Sequence, residues 1–179
     1  MSIAINSIGL EELTNKIMRL KNGEKAIANA INRSLITMRK ESSKAIRESY
    51  TAKASDIKKT IRLEKASKSN LEGTFYSSGT KISASHFKIT PKTDTTGLNK
   101  KAVKVEIKKG SKYTVSRGFN WNSNLFRRKG KARLPIKKEM GPSVPQMLEN
   151  EDVFESITQK AHETLEKKLA HEYERLTQE

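Results

Sequence analysis

In Ala102-Val103-Lys104-Val105-Glu106-Ile107-Lys108, apolar and charged side chains alternate from Val103 onward. A period of two is the period of a strand, so Val103, Val105 and Ile107 are expected on a core face and Lys104, Glu106 and Lys108 on a solvent face. Lys109-Gly110-Ser111 then reads as a turn, and Tyr113–Arg117 as the returning strand of a hairpin. Upstream, Leu71, Gly73 and Phe75 alternate with Glu72, Thr74 and Tyr76, and Phe87 and Ile89 share one side of another short strand. Thr90–Lys101 (TPKTDTTGLNKK) reads as a polar, exposed loop. Arg117–Phe126 (RGFNWNSNLF) reads as a Gly/Asn loop carrying three of the ten aromatic residues.

Helical spacing flanks this β region on both sides. Leu10, Leu13, Ile17 and Leu20 predict a first helix, with Ser7 as N-cap and Asn22-Gly23 as the stop. Ile27, Ile31, Leu35, Met38, Ala45 and Ile46 predict a second helix from Glu24 to about Tyr50, roughly 40 Å long. Its stripe fades after Met38, so the far half is expected to be less buried or to face a partner. Ser55-Asp56 predicts a short helix with Ile57 and Ile61 on one side. Asn150 or Asp152 caps a last helix with the stripe Phe154, Ile157, Ala161, Leu165, Leu169, Tyr173, Leu176. Residues 2–6 carry no clear pattern. The expected fold is α+β: N-terminal helices, a central mainly antiparallel β-sheet or sandwich, and a C-terminal helix. One domain is expected over 1–179, with helices over 1–62, a β core over 63–140 that includes the exposed loop 90–101, and a Pro-rich turn and helix over 141–179.

Leu125–Leu148 (LFRRKGKARLPIKKEMGPSVPQML) holds three of the four prolines and a basic cluster. Proline fixes the chain in an extended form suited to lying along a partner's surface. An assembly interface is therefore expected at Leu134, Pro135, Ile136, Met140, Pro142, Val144, Pro145, Met147 and Leu148. A loop wrapping its own domain is the competing reading of the same residues.

Charge is lopsided. The net charge is +16, made of +4 in residues 1–50, +17 in 51–140 and −5 in 141–179. A basic body attracts polyanions through salt-sensitive forces, and an acidic tail beside it allows identical chains to pair head to tail. The DNA-facing candidates are Lys100, Lys101, Lys104, Lys108, Lys109, Arg127, Arg128, Lys129 and Lys131. Phe119, Trp121 and Phe126 are interleaved with Arg117, Arg127 and Arg128, a mixture that stacks bases or tracks phosphates. The competing reading has the lysines solvating a sheet face whose aromatics plug the core.

Catalysis has little to stand on. His162 and His171 lie nine apart on one helix, which turns them to opposite sides, so they do not share a metal. Ser77–Lys81 lacks the spacing of a phosphate loop. With no cysteine, disulfides and zinc-thiolate sites are excluded. No enzyme, cofactor or metal site is expected. Without a long apolar stretch or a signal sequence, no membrane is expected, and the cytoplasm is the expected compartment.

The block Phe126-Arg127-Arg128-Lys129-Gly130-Lys131, Arg133-Leu134-Pro135-Ile136 and Gly141-Pro142-Ser143-Val144-Pro145-Gln146-Met147 resembles the minor tail protein Z family of tailed bacteriophages, the tail completion proteins. Ala30-Ile31-Asn32-Arg33 is similar to the family's early helix. Lys58-Lys59 to Leu63 with Lys65-Ala66 is similar to the short helix leading into its first strand, Lys108-Lys109-Gly110 to the stretch before an aromatic-bearing loop, and the last helix with His171-Glu172 and Arg175-Leu176 to its closing helix. The resemblance spans about residues 24–178 and leaves out 90–101. It implies a virion or prophage protein at the head-proximal end of the tail, assembled in the host bacterial cytoplasm. It implies partners too: copies of itself in a ring, often of six, other tail and neck proteins such as a tail terminator, and genomic DNA in the channel. The alternative is a non-enzymatic nucleic-acid-binding protein with a basic β-sheet surface. A nuclease would need an acidic metal cluster that the sequence does not display.

Overall fold

The computed structural model describes residues 2–5, 10–96 and 101–178. The fold is α+β, with helices toward both ends and small antiparallel sheets between them. The chain divides into two compact units. Unit 1 comprises Met1–Ala45, Thr60–Ser78 and Leu148–Glu179, and unit 2 comprises Ile46–Lys59 and Gly79–Met147.

Unit 1 is built on long helices and one sheet. Its helices are α1 (Glu11–Met18), the greater part of α2 (Gly23–Ser49) and α5 (Glu151–Gln178). Asn22, at φ 63°, breaks the chain between α1 and α2. Gly23, expected as part of the stop, begins α2 instead. A Cβ there would lie 2.0 Å from the Ile17 carbonyl oxygen, so only glycine fits. Ser7, the expected cap of α1, lies outside the described residues; Leu10 holds the N-cap position without a side-chain bond.

The α2 stripe is buried as its spacing predicts, from Ile27 through Met38. The expectation for its far half is corrected: Ser42, Ser43, Ala45 and Ile46 are buried too. Ser42 satisfies its hydroxyl by donating to the Met38 carbonyl at 2.6 Å, so a polar residue can occupy a core-facing position. Along α5 the buried face is Val153, Ile157, Ala161, Leu165, Leu169 and Glu172, while Phe154 is exposed. Glu172 meets Arg175 at 2.9 Å. Ser34 on α2 donates to the Ala161 carbonyl at 2.7 Å, which requires close approach of α2 to α5.

The unit 1 sheet has the order β1-β3-β2, from Ser2–Ile5, Ile61–Glu64 and Gly73–Ser77. Strand β3 alternates buried and half-buried positions, with Phe75 fully buried. Gly73 lies under α2: a Cβ there would come within 2.7 Å of Ile31 and Leu35. Asn32 clamps the next segment, donating to the Ala66 carbonyl at 3.0 Å and accepting the Ala66 N–H at 2.9 Å.

Unit 2 carries α3 (Ala54–Thr60, its last residue in unit 1), a 3-10 turn at Ala84–His86, and two further three-stranded antiparallel sheets. The first has the order β4-β5-β6, from Lys88–Thr90, Lys104–Glu106 and Lys112–Thr114. Val105 opposes both Ile89 and Tyr113, so the expected hairpin is present in register. Its core is Ala84, Ile89, Val103, Val105, Val115 and Leu125, with Ile107 packed against it.

The second sheet, β7-β8-β9, runs through Gly118–Trp121, Asn124–Arg128 and Ile136–Lys138. Arg117–Phe126, expected as a loop, is therefore a corrected reading: most of it forms the β7–β8 hairpin. Asn122 and Ser123 make its two-residue turn, at φ 47° and 57°, the left-handed pair that suits strand twist.

Candidate nucleic-acid interface

Strand β8 separates two kinds of arginine. Successive side chains on a strand face opposite sides. Arg127 meets Glu139 at 3.2 Å. Arg128 lies on the face with Phe119, its guanidinium carbon 4.9 Å from that ring centroid. The same face continues outward, with Phe119 and Phe126 stacked at 5.9 Å and Trp121 tilted against Phe126 at 6.0 Å.

This face opens into a cleft of about 1090 Å³. Five cations line it: Lys101, Arg117, Arg128, Lys131 and Arg133. Phe119, Trp121, Leu134 and Ile136 supply its apolar wall, and Thr95 and Thr96 a polar one. No carboxylate lines it, and among the described residues none of the five cations pairs with one. Trp121 is 52% exposed at this site.

Three of the five carboxylates of unit 2, Glu106, Glu139 and Asp56, are engaged. Glu106 is only 7% exposed, which corrects its expected place on a solvent face. Its Oε1 accepts the Gly110 N–H at 2.9 Å, and Oε2 faces the Lys88 and Lys112 ammonium groups at 3.1 and 3.8 Å. The Gly110 hydrogen bond first, and Lys88 next, hold its carboxyl below the usual carboxylate range. Asp56 takes His86 at 2.7 Å. The distribution is uneven across the whole chain. Unit 2 holds 21 of the 36 Lys and Arg but 5 of the 20 Asp and Glu, a net +16, while unit 1 holds 15 of each and is neutral. The acidic tail thus belongs to the unit whose positive charge it cancels.

Pro91 and Thr95 of the following loop are tied to β7 at this site. Asn120 is 1% exposed on the inner side of β7. Its side-chain amide donates to the Pro91 carbonyl, its N–H donates to Thr95 Oγ1 at 2.8 Å, and its carbonyl accepts the Thr95 N–H at 3.1 Å. Thr95 is buried, which corrects the expectation of an exposed excursion at that point.

Of the basic candidates, Lys101, Arg128 and Lys131 come together in the cleft. Lys104, Lys108, Lys109 and Lys129 are exposed outside it, Lys108 lying 5.9 Å from the Tyr50 ring centroid. Arg127 is taken up by Glu139, and Lys100 lies outside the described residues. Arg117 and Arg133, absent from the candidate set, complete the cleft.

The proposed assembly block also divides. Leu134 is 68% exposed, in the β8–β9 connection, with Pro135 beside it. Ile136 is half-buried at the cleft, and Met140 is exposed while bridging to Ser83. Pro142 and Pro145 are half-buried. Val144, Met147 and Leu148 are buried core residues, so their expected place on a docking surface is corrected. Ser143 and Gln146 form a capping box: Gln146 Oε1 accepts the Ser143 N–H at 3.0 Å and Ser143 Oγ accepts the Gln146 N–H at 3.4 Å. That box starts helix α4 (Val144–Leu148), where Pro145 is tolerated in the first turn. The prolines suggest an extended chain, but the Ser-x-x-Gln spacing at Ser143 and Gln146 is the signal of a helix start.

Among the described residues no cluster of three or more His, Asp or Glu is placed to hold a metal, and no helix is long and apolar enough to cross a membrane. Comparison with protein-family models, with curated proteins and with solved structures finds no match to this chain.

Proposed function

We propose that this chain is a non-enzymatic structural protein of a phage tail or neck, a tail-completion subunit assembling at the head-proximal end of the tail around the DNA channel. The arginine-to-proline resemblance supports this reading. The observation that carries it is the β8–β9 connection at the centre of that block, which presents Leu134 to solvent among Lys129, Lys131 and Arg133. An exposed leucine ringed by cations suits a contact with a neighbouring subunit, apolar at its centre and charged at its rim. Head-to-tail contacts of this type close into a ring when the rotation permits. The purified chain is expected to gain mass with concentration. Leu134→Asp is expected to stay monomeric at every concentration with an unchanged circular dichroism spectrum. A wild-type chain that remains monomeric throughout overturns the assembly reading.

The cleft favours a second reading, a nucleic-acid-binding protein that uses the basic face of unit 2. Affinity that falls steeply with added salt supports it. Binding that salt leaves unchanged counts against it.

A further inference from the structure

We infer that the cleft of unit 2 takes an unpaired nucleic-acid strand, its phosphates held by Lys101, Arg117, Lys131 and Arg133 and a base stacked on Trp121. This rests on the second reading above and goes beyond it by naming the form of the ligand.

Three observations separate a single strand from a duplex. The cleft is one-signed, so its ligand is anionic along its length. Its apolar wall includes an aromatic half in solvent: Trp121 is 52% exposed, with the Phe126 ring tilted against it at 6.0 Å. An indole in that position offers a flat face, and an unpaired base covers such a face at any sequence. A duplex keeps its base faces stacked inside and shows a protein only phosphates and groove edges. The third is recess. About 1090 Å³ is at the upper end of what a drug-sized ligand fills, which leaves room for several nucleotides of one strand. Arg128 is already committed to the Phe119 ring and to the Arg133 carbonyl. It shapes the floor, and the remaining four cations meet the phosphates.

Trp121 is the only tryptophan in the chain, so its fluorescence reports this cleft alone. The full chain is titrated with a short oligothymidylate, with a duplex of equal length, and with an abasic strand of equal length. The oligothymidylate is expected to quench Trp121 and to bind more tightly than either of the others. Trp121→Ala, followed by anisotropy of the labelled oligothymidylate, is expected to lose about 5- to 100-fold in affinity, the range of one base–aromatic stack. Lys131→Ala with Arg133→Ala, both at exposed positions, is expected to lower the slope of log affinity against log salt by about 1.4, or about 0.7 per phosphate contact on a single strand. Equal binding of abasic and thymidine strands overturns the inference. So does tighter binding of the duplex with unchanged Trp121 emission, which leaves the broader nucleic-acid reading standing. Failure of all three to bind overturns both.

Discussion

The two units of this chain solve opposite electrostatic problems. Unit 1 has equal numbers of acidic and basic side chains, and several meet within a turn of helix, as Lys16 with Glu12 and Lys160 with Glu163. Such exposed pairs add little stability, so the unit rests on its buried helix faces and on Phe75. Unit 2 carries the whole net charge of +16 on a smaller apolar core, and three of its five carboxylates have named partners: Glu106 with Lys88, Glu139 with Arg127 and Asp56 with His86. The lesson is that the net charge of the chain is a property of one unit. Among the described residues the cations of the cleft pair with no carboxylate.

The largest effect that sharpens this contrast is in unit 1. Phe75→Ala removes a fully buried ring from the central strand β3 and is expected to cost about 3–5 kcal/mol. Chemical denaturation followed by far-ultraviolet circular dichroism, dominated by α2 and α5, checks it. A cost below about 1 kcal/mol, smaller than any buried-ring truncation gives, would show that the helices are not organised on that strand.

Next come the paired asparagines, one in each unit. Asn32→Asp replaces the donor to the Ala66 carbonyl with a second acceptor, and Asn120→Ala removes the donor to the Pro91 carbonyl. Each leaves a backbone group without its partner and is expected to cost about 1–3 kcal/mol. Asn32→Asp should be read by circular dichroism and Asn120→Ala by Trp121 emission. Asn120→Ala should also shift that emission, because residues 91–94 then lose their side-chain tie to β7 and only the backbone bonds between residue 120 and Thr95 hold the segment beside the cleft. Equal costs with no change in emission would break the idea that Asn120 shapes the site.

The smallest effect is pH dependence in unit 2. Glu106 has its carboxyl lowered in the folded state from an ordinary value of 4.5. Its contribution to stability is therefore fully present above about pH 4.5 and is lost as the pH falls through the lower folded value. Glu106→Gln is expected to flatten the acid limb of the unit 2 stability profile read by Trp121. An acid limb identical to that of the wild type would assign acid sensitivity to other groups.

Much of the architecture was legible because its pattern is binary. The α2 stripe, Ile157 to Leu169 on α5, and Val103 and Val105 beside and on β5 put apolar side chains inward at the periods expected, while Phe154 and Tyr113 are exposed. The site was less legible because it inverts that rule. On β7 the inward residue is the polar Asn120, while Phe119 and Trp121 face the cleft. An alternation read for hydrophobicity points the wrong way there, so the hairpin looked like a loop. The far half of α2 was misread for a related reason, since Ser42 hides its hydroxyl in its own helix. Asn32 shows the other side of the same point. Its side-chain amide uses both ends on the Ala66 backbone, so a polar residue of α2 joins two segments that no hydrophobic period links.

The rung Lys88–Glu106–Lys112 has one more effect. It sets the alignment of β4, β5 and β6, since Glu106 lies opposite both lysines in register. Sliding either outer strand by one residue would turn that lysine toward the apolar side and leave the carboxylate facing nothing. The two outer strands of this sheet each carry a lysine at that level, and ammonium groups there repel an approaching strand of another copy. The rung therefore works as a lock on alignment and as a stop to growth: the sheet ends at three strands, each outer one guarded by an ammonium group.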